Sequence, residues 1–305
     1  MRVGELFPQY AASSLGKIKI KGVSSHTKFL EKGDMFFIIE GKSFDIFKVL
    51  KDIEEKVSIF VVEEKHQEKV NRIIKKKPIV FVKDIKKELR RATDEIYKGV
   101  IEGFKFILVT GTDGKTTTAY LIWQLLKSLN LPAIFLGTIG YYLGGRKKES
   151  LLTTPDYLML RRILKREKDA YVVMEASSQG IEEERVDNLS PKQLIFTNLT
   201  REHLDYHKNM KNYFQAKKKL FTRNPHSLAL INIDNLYGKI LVSQIRNEKF
   251  TYGENRFSDY RIKIDKVTKR GSLFRILYKD EEEKFFSPLL GRMNIENLSA
   301  ALTSF

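Results

Sequence analysis

The apolar run at 106–109 (Phe-Ile-Leu-Val) leads at once into Thr110-Gly111-Thr112-Asp113-Gly114-Lys115-Thr116-Thr117, and this limits the fold more than any other stretch. A buried-strand pattern stops at a Gly-rich turn, and a helical pattern over 116–130 then sets Ala119, Ile122, Trp123, Leu126 and Leu129 on one face. A phosphate loop sits between a strand and a helix in this way. Gly111 and Gly114 let backbone N–H groups converge on phosphate oxygens, and the helix N-terminus adds its dipole. Lys115 can reach β- and γ-phosphates, and the Thr116 hydroxyl can join a Mg²⁺ shell. The first glycine of the usual spacing would fall at position 109, which is Val. This is therefore a variant loop, and analogies with helicases or GTPases transfer poorly.

Strand-like and helical segments alternate from there on. Residues 133–136, 171–174, 193–197 and 228–233 read as strands, and 157–165 and 210–221 as helices. That order predicts an α/β fold with a mostly parallel sheet covered by helices on both faces. Four runs between about 250 and 288, FTYG, YRIKID, LFRILY and KFFSPL, read as short antiparallel strands. Ahead of the loop, the shorter apolar runs 35–39, 59–62 and 78–82 predict a small α/β domain over 1–98. A linker follows over 99–105, and a larger domain is expected over 104–305. Ile295, Leu298, Leu302 and Phe305 keep helical spacing to the last residue. This reads as a helix cut in mid-stride, hence a chain lacking a C-terminal portion; a natural terminal helix is the alternative.

With 42% hydrophobic residues in 305, packed cores are expected rather than disorder. The absence of cysteine removes disulfides, thiolate metal sites and thiol nucleophiles, and fits a reducing, cytoplasmic setting. No window approaches about 18 uninterrupted apolar residues, so neither a membrane span nor a signal peptide is expected. The net charge of +17 raises the question of nucleic acid. The basic residues are scattered, however, and the densest run, 75–91, is interleaved with Ile, Val and Phe. They read as a solvated surface with no nucleic-acid partner expected, and the same field suits an anionic small molecule.

Three later segments put polar residues just beyond apolar strands, where open α/β sheets bind ligands. Glu175 ends one of them and suits Mg²⁺, which wants hard oxygen donors beside phosphates. His203 and His207 are four apart, enough for one helical face but short of a third ligand for zinc. The run Lys217-Lys218-Lys219, taken alone, would be a solvated helix face.

Taken in order, these segments resemble a known family. Gly111-Thr112-Asp113-Gly114-Lys115-Thr116-Thr117, Thr153-Thr154-Pro155-Asp156, Met174-Glu175-Ala176-Ser177-Ser178, Arg185-Val186, Phe196-Thr197-Asn198-Leu199, His203-Leu204-Asp205-Tyr206-His207, Ala216-Lys217 and Gly291-Arg292-Met293-Asn294-Ile295-Glu296-Asn297 look like the ordered motifs of the Mur ligases. TTPD and HLDYH point to the MurE-type UDP-N-acetylmuramoyl-tripeptide synthetases among them. The resemblance implies an ATP-dependent ligase of peptidoglycan synthesis that joins an amino acid to a UDP-N-acetylmuramoyl peptide through an acyl phosphate. It also implies roles for single residues. Gly111 to Thr117 would hold the ATP phosphates, Asn294 would lie toward the adenine, and Thr116, Glu175 and His203 would serve Mg²⁺. Lys217 matches a carbamylated lysine, which turns a cation into an oxygen donor for metal. Thr153, Thr154, Ser177 and Arg185 match positions that hold the muramoyl peptide. Val23-Ser24-Ser25-His26 with Gly33-Asp34-Met35-Phe36-Phe37 resembles a uridine-binding pattern, of which Ser25 is kept.

Five positions depart from the family pattern. Ser24 and His26 replace an Asp and an Arg, which puts uracil recognition in question. Gln179 replaces a His, Glu183 stands where a substrate-binding Gln is expected, and Glu202 replaces an Asp. The family's third domain, which supplies the amino-acid pocket, has no counterpart in these 305 residues; a fragment or a natural two-domain protein would both fit. A relative acting on another carboxylate, such as a lipid-linked muramoyl peptide or poly-γ-glutamate, and a catalytically incomplete nucleotide-binding module are the rival readings. A cytoplasmic monomer is expected.

Overall fold

Parallel strands whose two faces are both apolar build the first of two compact units, Met1–Val100 with Leu158–Lys165. The computed structural model describes residues 1–41 and 44–304. β1 (Gly22–Ser24), β2 (Asp34–Phe37), β3 (Val57–Glu63) and β4 (Ile79–Val82) form a four-stranded parallel sheet in that order. Alternate side chains feed two cores, as the period of two dictates. Met35, Phe37, Ile59, Val61 and Val80 face one side, while Phe36, Phe60 and Val62 face the other. The helices are α1 (Val3–Leu6), α2 (Leu50–Ile53), α3 (Gln67–Ile73) and α4 (Ile85–Ile96). Asp84 caps α4 by accepting the Lys87 N–H at 3.0 Å.

The second unit, Ile101–Tyr157 with Arg166–Phe305, holds an eleven-stranded sheet. Its strands are β5 (Lys105–Thr110), β6 (Ala133–Gly137), β7 (Gly140–Leu143), β8 (Arg146–Lys148), β9 (Tyr171–Glu175), β10 (Gln193–Phe196), β11 (Leu228–Asn232), β12 (Lys249–Gly253), β13 (Tyr260–Thr268), β14 (Gly271–Tyr278) and β15 (Glu281–Ser287). They lie in the order β15-β14-β13-β12-β11-β10-β5-β9-β6-β7-β8. The centre is parallel, from β6 through β9, β5, β10 and β11 to β12 and β13, and both margins are antiparallel hairpins.

The remaining helices of the chain are α5 (Lys115–Ser128), α6 (Tyr157–Leu164), α7 (Ser178–Glu182), α8 (Leu204–His207), α9 (Met210–Thr222), α10 (Leu236–Gln244) and α11 (Arg292–Leu302). α5 and α11 share the core of one face, where Ala119, Ile122, Trp123 and Leu126 meet Ile295, Ala300 and Ala301 over Ile107, Val109 and Phe135. The α/β class, the four central strands and the long helices therefore stand where the periodicity puts them.

One expectation needs correction. FTYG is not antiparallel: α10 carries the chain across the sheet, so β12 enters parallel to β11, with Leu230 opposite Phe250. α11 runs to Leu302. The Thr303 hydroxyl donates to the Ser299 carbonyl at 2.9 Å and the Ser304 hydroxyl to that of Ala301 at 2.6 Å. Phe305 lies outside the described residues.

The periodicity groups α6 with the central strands and helices, but most of it belongs to the first unit. Leu158 sits in that core beside Val23 and Met35. Arg162 Nη1 donates to Asp34 Oδ2 at 2.7 Å and also to the Val23 carbonyl.

Candidate functional site

β5 runs parallel between β9 and β10, in register Val109–Glu175 and Thr110–Phe196. The C-terminal ends of three strands therefore open on one edge, and the phosphate loop rises from the middle one. Gly114, with φ +79°, is the N-cap of α5, and a Cβ there would come within 2.2 Å of Asn297 Oδ1. Glycine is required at this point on both counts. The Thr118 hydroxyl donates to the same Asn297 oxygen at 3.3 Å, so α11 braces the start of α5. Beyond β10, Asn198 accepts the Thr112 N–H on its carbonyl (3.0 Å) and the Asp113 N–H on its side chain (2.9 Å). The Thr197 hydroxyl donates to the Asp113 carbonyl at 2.6 Å. These contacts occupy the outer loop amides, while the first-turn N–H groups of α5 have no intrahelical partner and face outward from the helix. Thr197 and Asn198 belong to the 196–199 motif, but their bracing role has no local sequence signal.

Two lysines meet at one carbonyl. Lys115 Nζ donates to the carbonyls of Gly111 (3.1 Å) and Thr112 (2.6 Å), and Lys217 Nζ donates to that of Gly111 at 2.6 Å. Lys217 projects from α9 into the interior, 1% exposed, with its ammonium 4.7 Å from the Tyr213 ring centroid. The solvated-face reading fails for it, because its position on α9 points inward with Tyr213, Ala216 and Leu220. Burial, then the neighbouring Lys115 charge, hold the Lys217 pKa well below the ordinary lysine value, with Glu202 and Asp113 opposing. Burial also lowers that of Lys115.

Glu175 is fully buried. Its Oε2 accepts from the Thr116 hydroxyl at 2.7 Å and from the Thr138 hydroxyl at 3.2 Å, and its Oε1 accepts the Thr138 N–H at 2.7 Å. Thr138 was missed by sequence reading. Its position just past β6, matching the other strand-end polar residues, is the signal that could have found it. Its hydroxyl also lies 3.1 Å from that of Thr153, within hydrogen-bond reach. Thr154 is buried and spends its hydroxyl on the Glu175 carbonyl (2.8 Å), while accepting the Ser177 N–H (2.9 Å). Arg185 Nη1 donates to the Thr154 carbonyl at 3.0 Å.

The two histidines part company. His203, with φ +54°, is exposed at the start of α8, whereas His207 is buried, 2.8 Å from the Ser178 hydroxyl and stacked on Tyr213. Burial lowers the pKa of His207. Among the described residues no three His, Cys, Asp or Glu side chains group as a metal site. Lys115, Thr116, Thr138, Thr153, Glu175, Ser177, Arg185, His203 and Lys217 nevertheless line one cleft of about 290 Å³. Thr154 lies behind its wall. Asn294 stands apart in the first turn of α11, donating to the Leu290 carbonyl at 2.8 Å, and Ser25 follows β1 in the first unit.

A strand–loop–helix cradle at the edge of a parallel sheet, with buried lysines and a carboxylate converging on it, defines an α/β protein of the phosphate-loop class. The model of the Mur ligase middle domain matches residues 109–305. UDP-N-acetylmuramoyl-L-alanyl-D-glutamate–2,6-diaminopimelate ligase of Aquifex aeolicus (strain VF5) is 36% identical over 287 residues, covering 93% of this chain and 58% of that protein. The protein of the same name from Clostridium tetani (strain Massachusetts / E88) is 34% identical over 284 residues, covering 92% and 58%. A solved structure of a ligase with that name superposes with a TM-score of 0.73 at 24% identity, over 100% of this chain and 63% of the other. MurF ligase from Thermotoga maritima in complex with ADP gives 0.67 at 17%, over 92% and 62%. The chain belongs to the Mur ligase family. It spans 58% of the length of these two relatives.

Proposed function

We propose that the chain carries the nucleotide and UDP-peptide sites of an ATP-dependent ligase that adds an amino acid to a UDP-N-acetylmuramoyl peptide in peptidoglycan synthesis. The observation that carries this is the single cleft in which Lys115, Lys217, Thr116 and Glu175 face Thr153, Ser177 and Arg185. Phosphate-handling groups thus stand beside groups suited to a peptide carboxylate. The names of the relatives support the substrate, UDP-N-acetylmuramoyl-L-alanyl-D-glutamate. Residues 1–98 would bind the UDP-muramoyl end, with Ser25, and 104–305 the ATP, with Asn294 toward its base. The reaction is assigned to the cytoplasm and to a monomer; among the described residues no helix is long and apolar enough to cross a membrane.

The carboxylate of the peptide attacks the γ-phosphate, breaking its bond to the β-phosphate and expelling ADP, to give an acyl phosphate. The incoming amine then adds to the acyl carbon, and the tetrahedral intermediate loses phosphate and a proton to leave the amide. Arg185, Thr153 and Ser177 hold and orient the peptide, which turns the attack into an aligned intramolecular one. Lys115 and the N–H groups opening α5 stabilise the charge that builds on phosphoryl oxygens. The donor set fits Mg²⁺: Glu175 is a buried carboxylate contacted by hydroxyl and amide donors, with the Thr116 hydroxyl on one oxygen. Thr116, Glu175, His203 and carbamylated Lys217 would hold it, and when bound it neutralises phosphate charge. The depressed pKa of Lys217 favours carbamylation, because the neutral amine attacks CO₂, forms the N–C bond and gives up a proton. The anion so formed turns the repulsion from Lys115 into attraction.

Phosphate release from ATP that depends on UDP-N-acetylmuramoyl-L-alanyl-D-glutamate, with amino acids supplied as acceptors, tests the proposal. Lys115→Ala should lower it by about a hundredfold or more, as loss of a phosphate-stabilising donor does. Peptide-independent release, or release indifferent to Lys115, would overturn it.

A further inference from the structure

Arg185 lines the cleft, yet a carboxylate of the chain already occupies its guanidinium. Its Nε and Nη2 both donate to Glu183 Oε2, the first at 2.9 Å. The other carboxylate oxygen, Oε1, accepts from Gln179 Nε2 at 2.8 Å. The backbone builds this pairing. Glu184 takes φ +58° just past α7, its N–H returns to the Ile181 carbonyl (3.2 Å), and that of Arg185 returns to Gly180 (2.9 Å). This is a Schellman turn, and it brings residues 183 and 185 to the same side. The arginine side chain is 11% exposed and fixed by the Thr154 carbonyl, whereas that of Glu183 is 44% exposed and has room to leave.

We infer that Glu183 occupies the place of a ligand carboxylate on Arg185 and is displaced when an acidic peptide binds, so that it sets how tightly this site takes carboxylates. The inference rests on the reading that the cleft receives a UDP-linked acidic peptide. A ligand carboxylate gains the guanidinium only by giving up an ion pair that already exists. A part-exposed pair is worth up to about 1 kcal/mol, or about fivefold in affinity.

The full chain and its Glu183→Gln and Glu183→Ala variants would be titrated with UDP-N-acetylmuramoyl-L-alanyl-D-glutamate and with its derivative amidated at the glutamate carboxylates. Both variants should bind the acid about fivefold more tightly and change the amide by no more than about twofold. Unchanged or weaker binding of the acid in both variants would overturn the inference alone, since Glu183 would then merely hold Arg185 in place. An equal gain for acid and amide would overturn it too. Failure of every form to bind either compound would remove the ligase reading with it.

Discussion

Lys217 shows how much one residue's setting can invert its chemistry. In a run of three lysines, α9 turns Lys218 and Lys219 to the surface and drives Lys217 beneath the phosphate loop, against Lys115. A cation there is taken from water and set beside another, so the folded chain binds a proton at Lys217 less readily than the unfolded chain does. Stability therefore rises with pH between the depressed folded value and the ordinary value of 10.5. In CO₂-free buffer, Lys217→Met should be more stable than the parent at neutral pH, with the difference shrinking as pH climbs toward that of free lysine. Urea unfolding at two pH values measures this, and a difference that grew with pH would contradict it. With ¹³C-bicarbonate, the parent should show a carbamate resonance that Lys217→Met lacks.

At the scale of elements, the strand–loop–helix unit was legible because its signals are local: an apolar run, two glycines, then a 3.6-residue period. The pairing of Glu175 with Thr138 was not, because it depends on β9 lying beside β6, which residue spacing does not encode. α10 escaped notice for a different reason: its apolar residues form no clear stripe, and its role as a crossover shows only once β11 and β12 are seen side by side. The turn after α7 was equally silent, since its left-handed residue is Glu184 where glycine would be the expected signal. A glutamate in that region costs about 1 kcal/mol relative to glycine, partly returned by glycine's greater freedom when unfolded. Its ion pair to Arg223, at 3.9 Å, is exposed and adds little. Glu184→Gly should therefore raise the melting temperature by about 2 °C. A clear fall would show that the Glu184 side chain, and not its backbone, matters to the turn.

For the whole molecule, the order of the chain and the order of its units differ. The first unit takes in Leu158–Lys165, after the chain has already built β5 to β8 of the second. Arg162 is what ties that helix in: it reaches Asp34, 2% exposed, and the Val23 carbonyl in the neighbouring strand β1. Removing one partner of such a pair leaves a buried charge uncompensated, which costs about 3–5 kcal/mol, whereas removing both costs far less. Arg162→Met should therefore destabilise the first unit strongly, and Arg162→Met with Asp34→Asn should regain most of the loss. The chain has one tryptophan, Trp123, and it lies in the core of the second unit, so its fluorescence reports that unit while far-UV circular dichroism reports both. In urea, Arg162→Met should shift the dichroism to lower denaturant and split it from a Trp123 transition that stays in place. If the two signals moved together, the units would be unfolding as one, and the cost of the broken pair would be shared by the entire sheet around the phosphate loop.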